Sequence, residues 1–277
     1  MTRAQLFVAT KPYLPRRLRN WLTNSYQHLH SYLRYGDWNF FRSISLEVSV
    51  YCNRTCSYCP NTSYETPREF MSEEVFETAL KRMQEIRYAG IVDFIFYNEP
   101  LLDPRLPDLV TRVKAALPNC LPRVTTNGDA LTEDLLLRLT KAGVLTFYVT
   151  RHVPVKPGWN ERIEMLLKKY PQYVTLTDIM EVQAKVGLWN RAGLVKVEKE
   201  FKVNSCHAPE GAFVIDRFGN VPLCCCDYFR KNAQGNIMKQ GILEIWRGAG
   251  FAGVRQNLHK GVAVLDICKN CILRLKN

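Results

Sequence analysis

Apolar and polar positions follow two different periods along the chain, and the two periods alternate. Five segments rich in β-branched and aromatic residues are predicted as strands: residues 43–50, 92–98, 123–128, 144–150 and 174–182. Four segments between them have apolar residues at helical spacing and are predicted as helices: residues 72–86, 105–117, 132–143 and 160–170. Strands separated by single helices predict βαβ units and a parallel sheet.

This alternation predicts an α/β fold class with three parts. Five or six βα units are too few for a closed eight-stranded barrel, so residues 43–200 are predicted to form a partial (β/α)6-type open TIM barrel. Ligands on such sheets bind at the carboxyl ends of the strands. Residues 201–277 change to short β segments, a Gly-Asn turn, one helix from 242 to about 258 and clustered cysteines, which predicts a small second domain. Residues 1–42 form an extension.

Composition describes an ordinary globular protein with a basic extension. The chain has 277 residues, of which 47% are hydrophobic and 23% charged, and lacks a run of eighteen apolar residues or a signal-peptide core. A cytoplasmic location is therefore expected. About half of the net charge of +12 lies in residues 1–42, where 15–34 is predicted as a basic amphipathic helix. This helix would contact a membrane surface or an anionic partner, or lie across the main domain.

Three cysteines lie close together after the first strand, in the sequence VYCNRTCSYCPN. Cys52, Cys56 and Cys59 put three thiolates on one loop, and thiolates favour zinc, copper(I) or iron–sulfur clusters. Three thiolates on a four-iron cluster leave one iron for a small molecule. Zinc with a distant fourth ligand is the alternative.

The spacing Cys-x3-Cys-x-aromatic-Cys, with Tyr58 as the aromatic residue, resembles the signature of the radical S-adenosylmethionine (SAM) superfamily. The resemblance implies that Cys52, Cys56 and Cys59 hold a [4Fe–4S] cluster whose open iron is chelated by SAM. It also implies reductive cleavage of SAM to a 5′-deoxyadenosyl radical, which removes a hydrogen atom from a substrate. Tyr58 is expected near the adenine.

Three later motifs are similar to cofactor-binding segments of this superfamily. FYNEP, residues 96–100, replaces the glycines of a Gly-Gly-Glu motif with Tyr97 and Asn98 but keeps Glu99, which the resemblance assigns to the SAM amino group. Thr126 and Asn127 in TTNG are expected near the SAM ribose and carboxylate.

The motif VTRHV departs from the superfamily pattern. Its Arg151 and His152 are predicted at the mouth of the barrel. There they would contact the substrate or the SAM carboxylate, with His152 as a proton acceptor. The alternative is a solvated arginine beside a capping histidine.

A second cysteine group lies in residues 201–277. Cys206, Cys224, Cys268 and Cys271 have the spacing of a closed four-thiolate site, for zinc or for iron and sulfur. The surrounding sequence resembles the twitch domain, a short form of the SPASM domain, which implies an auxiliary [4Fe–4S] cluster. Cys225 and Cys226 are interpreted as packing residues, as an alternative ligand to Cys224, or as hydrogen donors to a substrate radical.

The resemblance implies an oxidoreductase that converts a secondary alcohol of a sugar, aminocyclitol or polyol to a ketone, with the auxiliary cluster as electron acceptor. A sugar epimerase using Cys225 or Cys226, and a peptide-modifying maturase, are the alternatives. The expected partners are a small-molecule or peptide substrate and a flavodoxin- or ferredoxin-type reductant, without obligatory nucleic acid. An iron–sulfur electron carrier or nucleic-acid-binding protein would not explain Glu99 and the Asn-Gly turn after the three cysteines.

Overall fold

A computed structural model describes residues 29, 31–38, 40–65, 67–201 and 203–271. The chain divides into two compact units, Met1–Phe41 and Arg42–Asn277. The predicted basic helix of residues 15–34 lies mostly outside the described residues. Within the part of the chain that is described, no helix is long and apolar enough to cross a membrane.

The second unit is built on one sheet of six parallel strands in the order β5-β4-β3-β2-β1-β6. The strands are β1 (Ser43–Leu46), β2 (Ile91–Asp93), β3 (Leu121–Thr126), β4 (Thr146–Arg151), β5 (Val174–Asp178) and β6 (Ala212–Ile215). All four residues of β1 are buried, as expected of a strand covered on both faces. The sheet is open, with β5 and β6 at its two edges, which agrees with a partial barrel.

Helices follow the first five strands and cover the sheet. They are α1 (Glu73–Glu85), α2 (Leu106–Ala116), α3 (Glu133–Ala142), α4 (Trp159–Lys169) and α5 (Ile179–Lys185). The first four agree with the sequence prediction to within one residue at each end, because their ends carry clear signals. Ser72 and Thr132 accept hydrogen bonds from the third backbone N–H of α1 and α3, and Gly143 ends α3 with a φ of +121°.

Two strands are shorter than predicted. β2 ends at Asp93 because the Asn98 side chain takes over the backbone groups beyond it: Asn98 accepts from the Phe96 N–H and donates to the Phe94 carbonyl. β5 ends at Asp178, whose carboxylate caps α5, so residues 179–182 are helical and not a strand. In both places a local polar side chain replaces the sheet ladder.

The part of the chain after residue 200 contributes the sixth strand. β6 pairs with β1, so the predicted barrel and the predicted small domain share one sheet. Four further helices follow residue 206: α6 (Ala208–Gly211), α7 (Ile242–Arg247), α8 (Ala249–His259) and α9 (Asp266–Lys269). The single helix predicted from residue 242 is two helices, because Gly248 has an extended ψ of 134° between them.

An ion pair joins β2 to β3 inside the sheet. Asp93 is 1% exposed, and its carboxylate accepts hydrogen bonds from Arg123 Nε at 2.7 Å and from the Thr125 hydroxyl at 2.9 Å. Burial raises the pKa of Asp93, while Arg123 opposes this rise. The carboxylate therefore depends on Arg123 to remain ionised.

We predict that Arg123→Ala lowers the free energy of unfolding by about 3 kcal/mol, because it leaves a buried carboxylate without its cation. Arg138→Ala is the matched control, since Arg138 pairs with Asp134 on the surface with side chains 60% and 78% exposed, and such pairs contribute less than about 1 kcal/mol. Urea unfolding followed by circular dichroism measures both. Equal losses in the two variants would contradict the prediction.

Candidate active site

The cysteine loop lies beyond β1 and opens onto a cavity of about 290 Å³. Cys52, Cys56 and Cys59 all line this cavity and are partly exposed. The loop closes with a tight turn, in which the Cys59 N–H donates to the Cys56 carbonyl at 2.8 Å. A short 3₁₀-helix, Pro60–Thr62, follows it. The structure therefore brings the three predicted thiols to one cavity wall.

Asp129 ties the cysteine loop to the segment after β3. Its carboxylate accepts two hydrogen bonds from Arg54, at 2.6 and 2.9 Å, and one from Asn53 at 3.0 Å. Lys156 Nζ lies 2.8 Å from the same carboxylate. Arg54 and Asp129 are 6% and 5% exposed in their side chains, and bidentate pairs of this kind fix orientation strongly. The sequence analysis did not identify this anchor.

Glu99 connects the two other predicted cofactor segments. One carboxylate oxygen accepts from the Thr126 hydroxyl at 2.6 Å and the other from the Asn127 N–H at 2.7 Å. All three residues line the cavity. Burial raises the pKa of Glu99 to about 7, although the bonds from Thr126 and Asn127 oppose the rise. Glu99 is therefore poised to change its ionisation near neutral pH.

Tyr58 and His152 face each other across the cavity, with the Tyr58 hydroxyl 2.6 Å from His152 Nδ1. Burial lowers the pKa of His152 to about 4, and the Arg54 charge acts in the same direction. Burial also raises the pKa of Tyr58. The pair is therefore a neutral phenol and a neutral imidazole, and His152 is a weak proton acceptor at neutral pH.

Two predicted residues have mainly structural contacts. Arg151 forms an ion pair with Asp178 at 2.9 Å across β4 and β5, and its side chain does not line the cavity. Adjacent strand residues face opposite ways, so His152 reaches the cavity and Arg151 does not. Asn98 lines the cavity, but both ends of its amide bond to the backbone of its own turn.

Arg191 is a cavity residue that the sequence analysis missed. It lies 5.7 Å from the Tyr97 ring centroid, and its guanidinium donates to the Cys225 carbonyl at 3.4 Å. Its buried Nε has no hydrogen-bond partner among the described residues. Arg191 and Ala192 both have positive φ values, of 52° and 58°. No periodic pattern marks this loop, so the sequence offered no signal for it.

The second cysteine group forms a separate small cavity of about 20 Å³. Its walls include the four predicted ligands and one further cysteine: Cys206, Cys224, Cys226, Cys268 and Cys271. The Cys226 sulfur lies 3.9 Å from that of Cys271, so Cys226 remains an alternative to Cys224 as a ligand. Cys225 contacts the first cavity instead, through the bond from the Tyr97 hydroxyl to its carbonyl at 2.5 Å.

The separation of the sulfurs fits clusters better than single ions. A zinc ion holds each thiolate at about 2.3 Å, which puts its sulfurs about 4 Å apart. Among the described residues, three donor atoms within 4.8 Å of one another occur in one group, and it contains no cysteine. Both cysteine groups are therefore spread more widely than one zinc ion requires.

Comparisons with known proteins agree with this geometry. Residues 46–156 match the radical SAM superfamily, and residues 206–272 match SPASM, an iron–sulfur cluster-binding domain. The S-adenosyl-L-methionine-dependent 2-deoxy-scyllo-inosamine dehydrogenase of Niallia circulans is 34% identical over 237 residues, which cover 83% of this chain and 92% of that protein. A tungsten-containing aldehyde ferredoxin oxidoreductase cofactor-modifying protein of Pyrococcus furiosus is 28% identical over 39% of this chain and 30% of its own length.

Solved structures show the same relation. The crystal structure of BtrN in complex with AdoMet and 2-DOIA has a TM-score of 0.75 and 33% identity, and the match covers 84% of this chain and 93% of that one. The AdoMet-bound enzyme anSMEcpe, at 15% identity and a TM-score of 0.57, over 82% of this chain and 90% of its own, shares the fold. These matches confirm the predicted fold class and the predicted cofactors, SAM and iron–sulfur clusters. The chain belongs to the radical SAM superfamily and carries an iron–sulfur cluster-binding domain of the SPASM type.

Proposed function

We propose that this protein is a radical SAM dehydrogenase that oxidises a secondary alcohol of an aminocyclitol to a ketone. The observation that carries the proposal is the position of the second cysteine cavity directly behind the wall of the first. Trp189 lines both cavities, and Cys225, between two cysteines of the second cavity, bonds to Tyr97 and Arg191 of the first. An electron acceptor at the second group would therefore lie beside the substrate.

The donor sets fit the groups that the family uses. Cys52, Cys56 and Cys59 would hold the first cluster and leave room for SAM in the cavity, and Glu99, Thr126 and Asn127 would bind SAM. When bound, the first cluster and SAM supply the 5′-deoxyadenosyl radical, and the second cluster accepts one electron. Cys206, Cys268 and Cys271, with Cys224 or Cys226, would hold the second cluster. A flavodoxin- or ferredoxin-type reductant and a cytoplasmic location stay predictions.

Arg191 is the residue that we assign to the substrate hydroxyl. Its Nε is buried without a partner among the described residues, next to a cavity that also contains Tyr97 and Trp189. A guanidinium there donates hydrogen bonds to the oxygen and stabilises the negative charge that develops as the hydroxyl proton leaves. Arg191 thus holds the oxygen of the carbon that is oxidised.

An epimerase is the second candidate, because Cys225 lies beside the first cavity and hydrogen bonds lower the pKa of its thiol. The two reactions give different products from 2-deoxy-scyllo-inosamine, the substrate that the name of the Niallia circulans relative indicates. In deuterated water, a dehydrogenase gives a ketone lighter by two hydrogen atoms. An epimerase gives an isomer that carries one deuterium from the exchangeable thiol, which mass spectrometry would detect and which would overturn the proposal.

The two cysteine groups are predicted to have separable roles. The Cys52→Ala, Cys56→Ala and Cys59→Ala triple variant should lose about four of eight iron atoms per chain and all SAM cleavage, because SAM loses its iron. Cys268→Ala should still release 5′-deoxyadenosine but form no ketone, because the second cluster is lost. Iron analysis and chromatography of the products measure both. SAM cleavage by the triple variant, or normal ketone formation by Cys268→Ala, would contradict these assignments.

SAM affinity is predicted to fall with pH through the ionisation of Glu99. The pKa of this carboxyl is about 7 before SAM binds, so the form that accepts hydrogen bonds from the SAM amino group is lost below pH 7. The dissociation constant should rise by about tenfold for each pH unit below 7. Glu99→Gln should bind more weakly at pH 8 and have a flatter profile. Equal slopes for the two proteins in calorimetric titrations would refute the role of Glu99.

Replacing Arg191 is predicted to uncouple SAM cleavage from oxidation. Arg191→Gln should lower the rate of ketone formation by about 100-fold or more, as loss of a charge-stabilising donor does, while 5′-deoxyadenosine is still released. Arg191→Lys keeps the charge but loses the planar fork and should be intermediate. The ratio of ketone to 5′-deoxyadenosine is the measurement. An unchanged ratio in Arg191→Gln would remove Arg191 from the reaction.

A further inference from the structure

Two histidines and a glutamate meet at the surface near the second cysteine cavity. His207 Nδ1 lies 3.3 Å from one carboxylate oxygen of Glu210, and His259 Nε2 lies 2.8 Å from the other. The two imidazole rings are tilted by 33°, with centroids 4.5 Å apart. One donor atom from each residue lies within 4.8 Å of the other two, so the three side chains already converge.

Backbone contacts hold these side chains in place. His207 is the N-cap of α6, and the Glu210 N–H donates to its carbonyl at 3.1 Å. His259 is the last residue of α8. The Cys206 N–H donates to the Leu258 carbonyl at 3.1 Å, so the residues that follow each of these two are brought side by side. The convergence therefore comes from the local fold.

Hydrogen bonding within the group leaves one buried nitrogen without a partner. His259 Nε2 is close to the Glu210 carboxylate but is not aligned with it as donor and acceptor, and it has no hydrogen-bond partner among the described residues. A metal cation would satisfy this nitrogen and the carboxylate together. The His207 side chain is 65% exposed, so the group can be reached from solvent.

We propose that His207, Glu210 and His259 form a binding site for a divalent transition metal of the zinc class. Two imidazole nitrogens and one carboxylate oxygen are the ligands that zinc takes with a fourth position left for water. The absence of sulfur from these three side chains separates this site from both cysteine groups. A bound ion would cross-link the residue after Cys206 to the end of α8.

Zinc binding to the cluster-loaded protein tests the proposal. The protein with both iron–sulfur clusters is dialysed anaerobically against Zn²⁺, and zinc and iron are measured in the same sample. One zinc should bind per chain while the iron content stays unchanged. Zinc X-ray absorption should show nitrogen and oxygen neighbours at about 2.0–2.2 Å and imidazole scattering. A Zn–S distance of about 2.3 Å would overturn the proposal, since it would place the ion on cysteines.

Variants locate the ion. His259→Gln and Glu210→Gln should each weaken zinc binding by more than about tenfold, whereas Glu164→Gln, an exposed glutamate on α4, should leave it unchanged. Equal zinc binding by the wild type and the His207→Gln, Glu210→Gln, His259→Gln triple variant would refute the site. The clusters and SAM cleavage should persist in all these variants, so failure here is distinguishable from failure of the dehydrogenase proposal.

Discussion

The carboxylate of Asp129 is the interaction on which the arrangement of the active site depends. A loop at the end of an open sheet has no neighbour on its free side, so only side chains hold it. Asp129 lies just after β3, yet it binds Arg54 and Asn53 between the first two cysteines of the loop. Asn127 Nδ2 also donates to Asn53, and Glu99 in turn binds Thr126 and Asn127. One continuous polar network therefore orients the thiols relative to the cofactor segments.

The sequence predicted those parts of the molecule that local patterns encode. The four helices after the first four strands have caps and apolar stripes, and the three cysteines have a fixed spacing, so both were identified. Arg191 and Asp129 were not, because each acts through contacts between segments distant in the chain, and neither lies in a periodic element. Arg151 was placed at the cavity because it precedes His152, but its pairing with Asp178 depends on the register of β4 and β5.

The second cysteine group is integrated into the barrel and is not an appendage. β6 completes the sheet beside β1, and Arg230 donates to the buried Glu47 just after β1. The Tyr97 hydroxyl and Arg191 both bond to the carbonyl of Cys225. Any movement of the second cavity relative to the first would break these bonds. The fixed relation suits electron transfer, which requires a constant and short separation.

The pairing of β1 with β6 also constrains how the protein is made. Ser43 pairs with Ala212, so the two partners are far apart in the order of synthesis. Strands β1 to β5 can assemble while the chain is still emerging from the ribosome, but the outer edge of β1 stays open until β6 has emerged. An open strand edge is a site for wrong pairing, and contacts between distant segments form slowly. The nascent chain therefore exposes this edge, with the cysteine loop beyond it, for most of its translation.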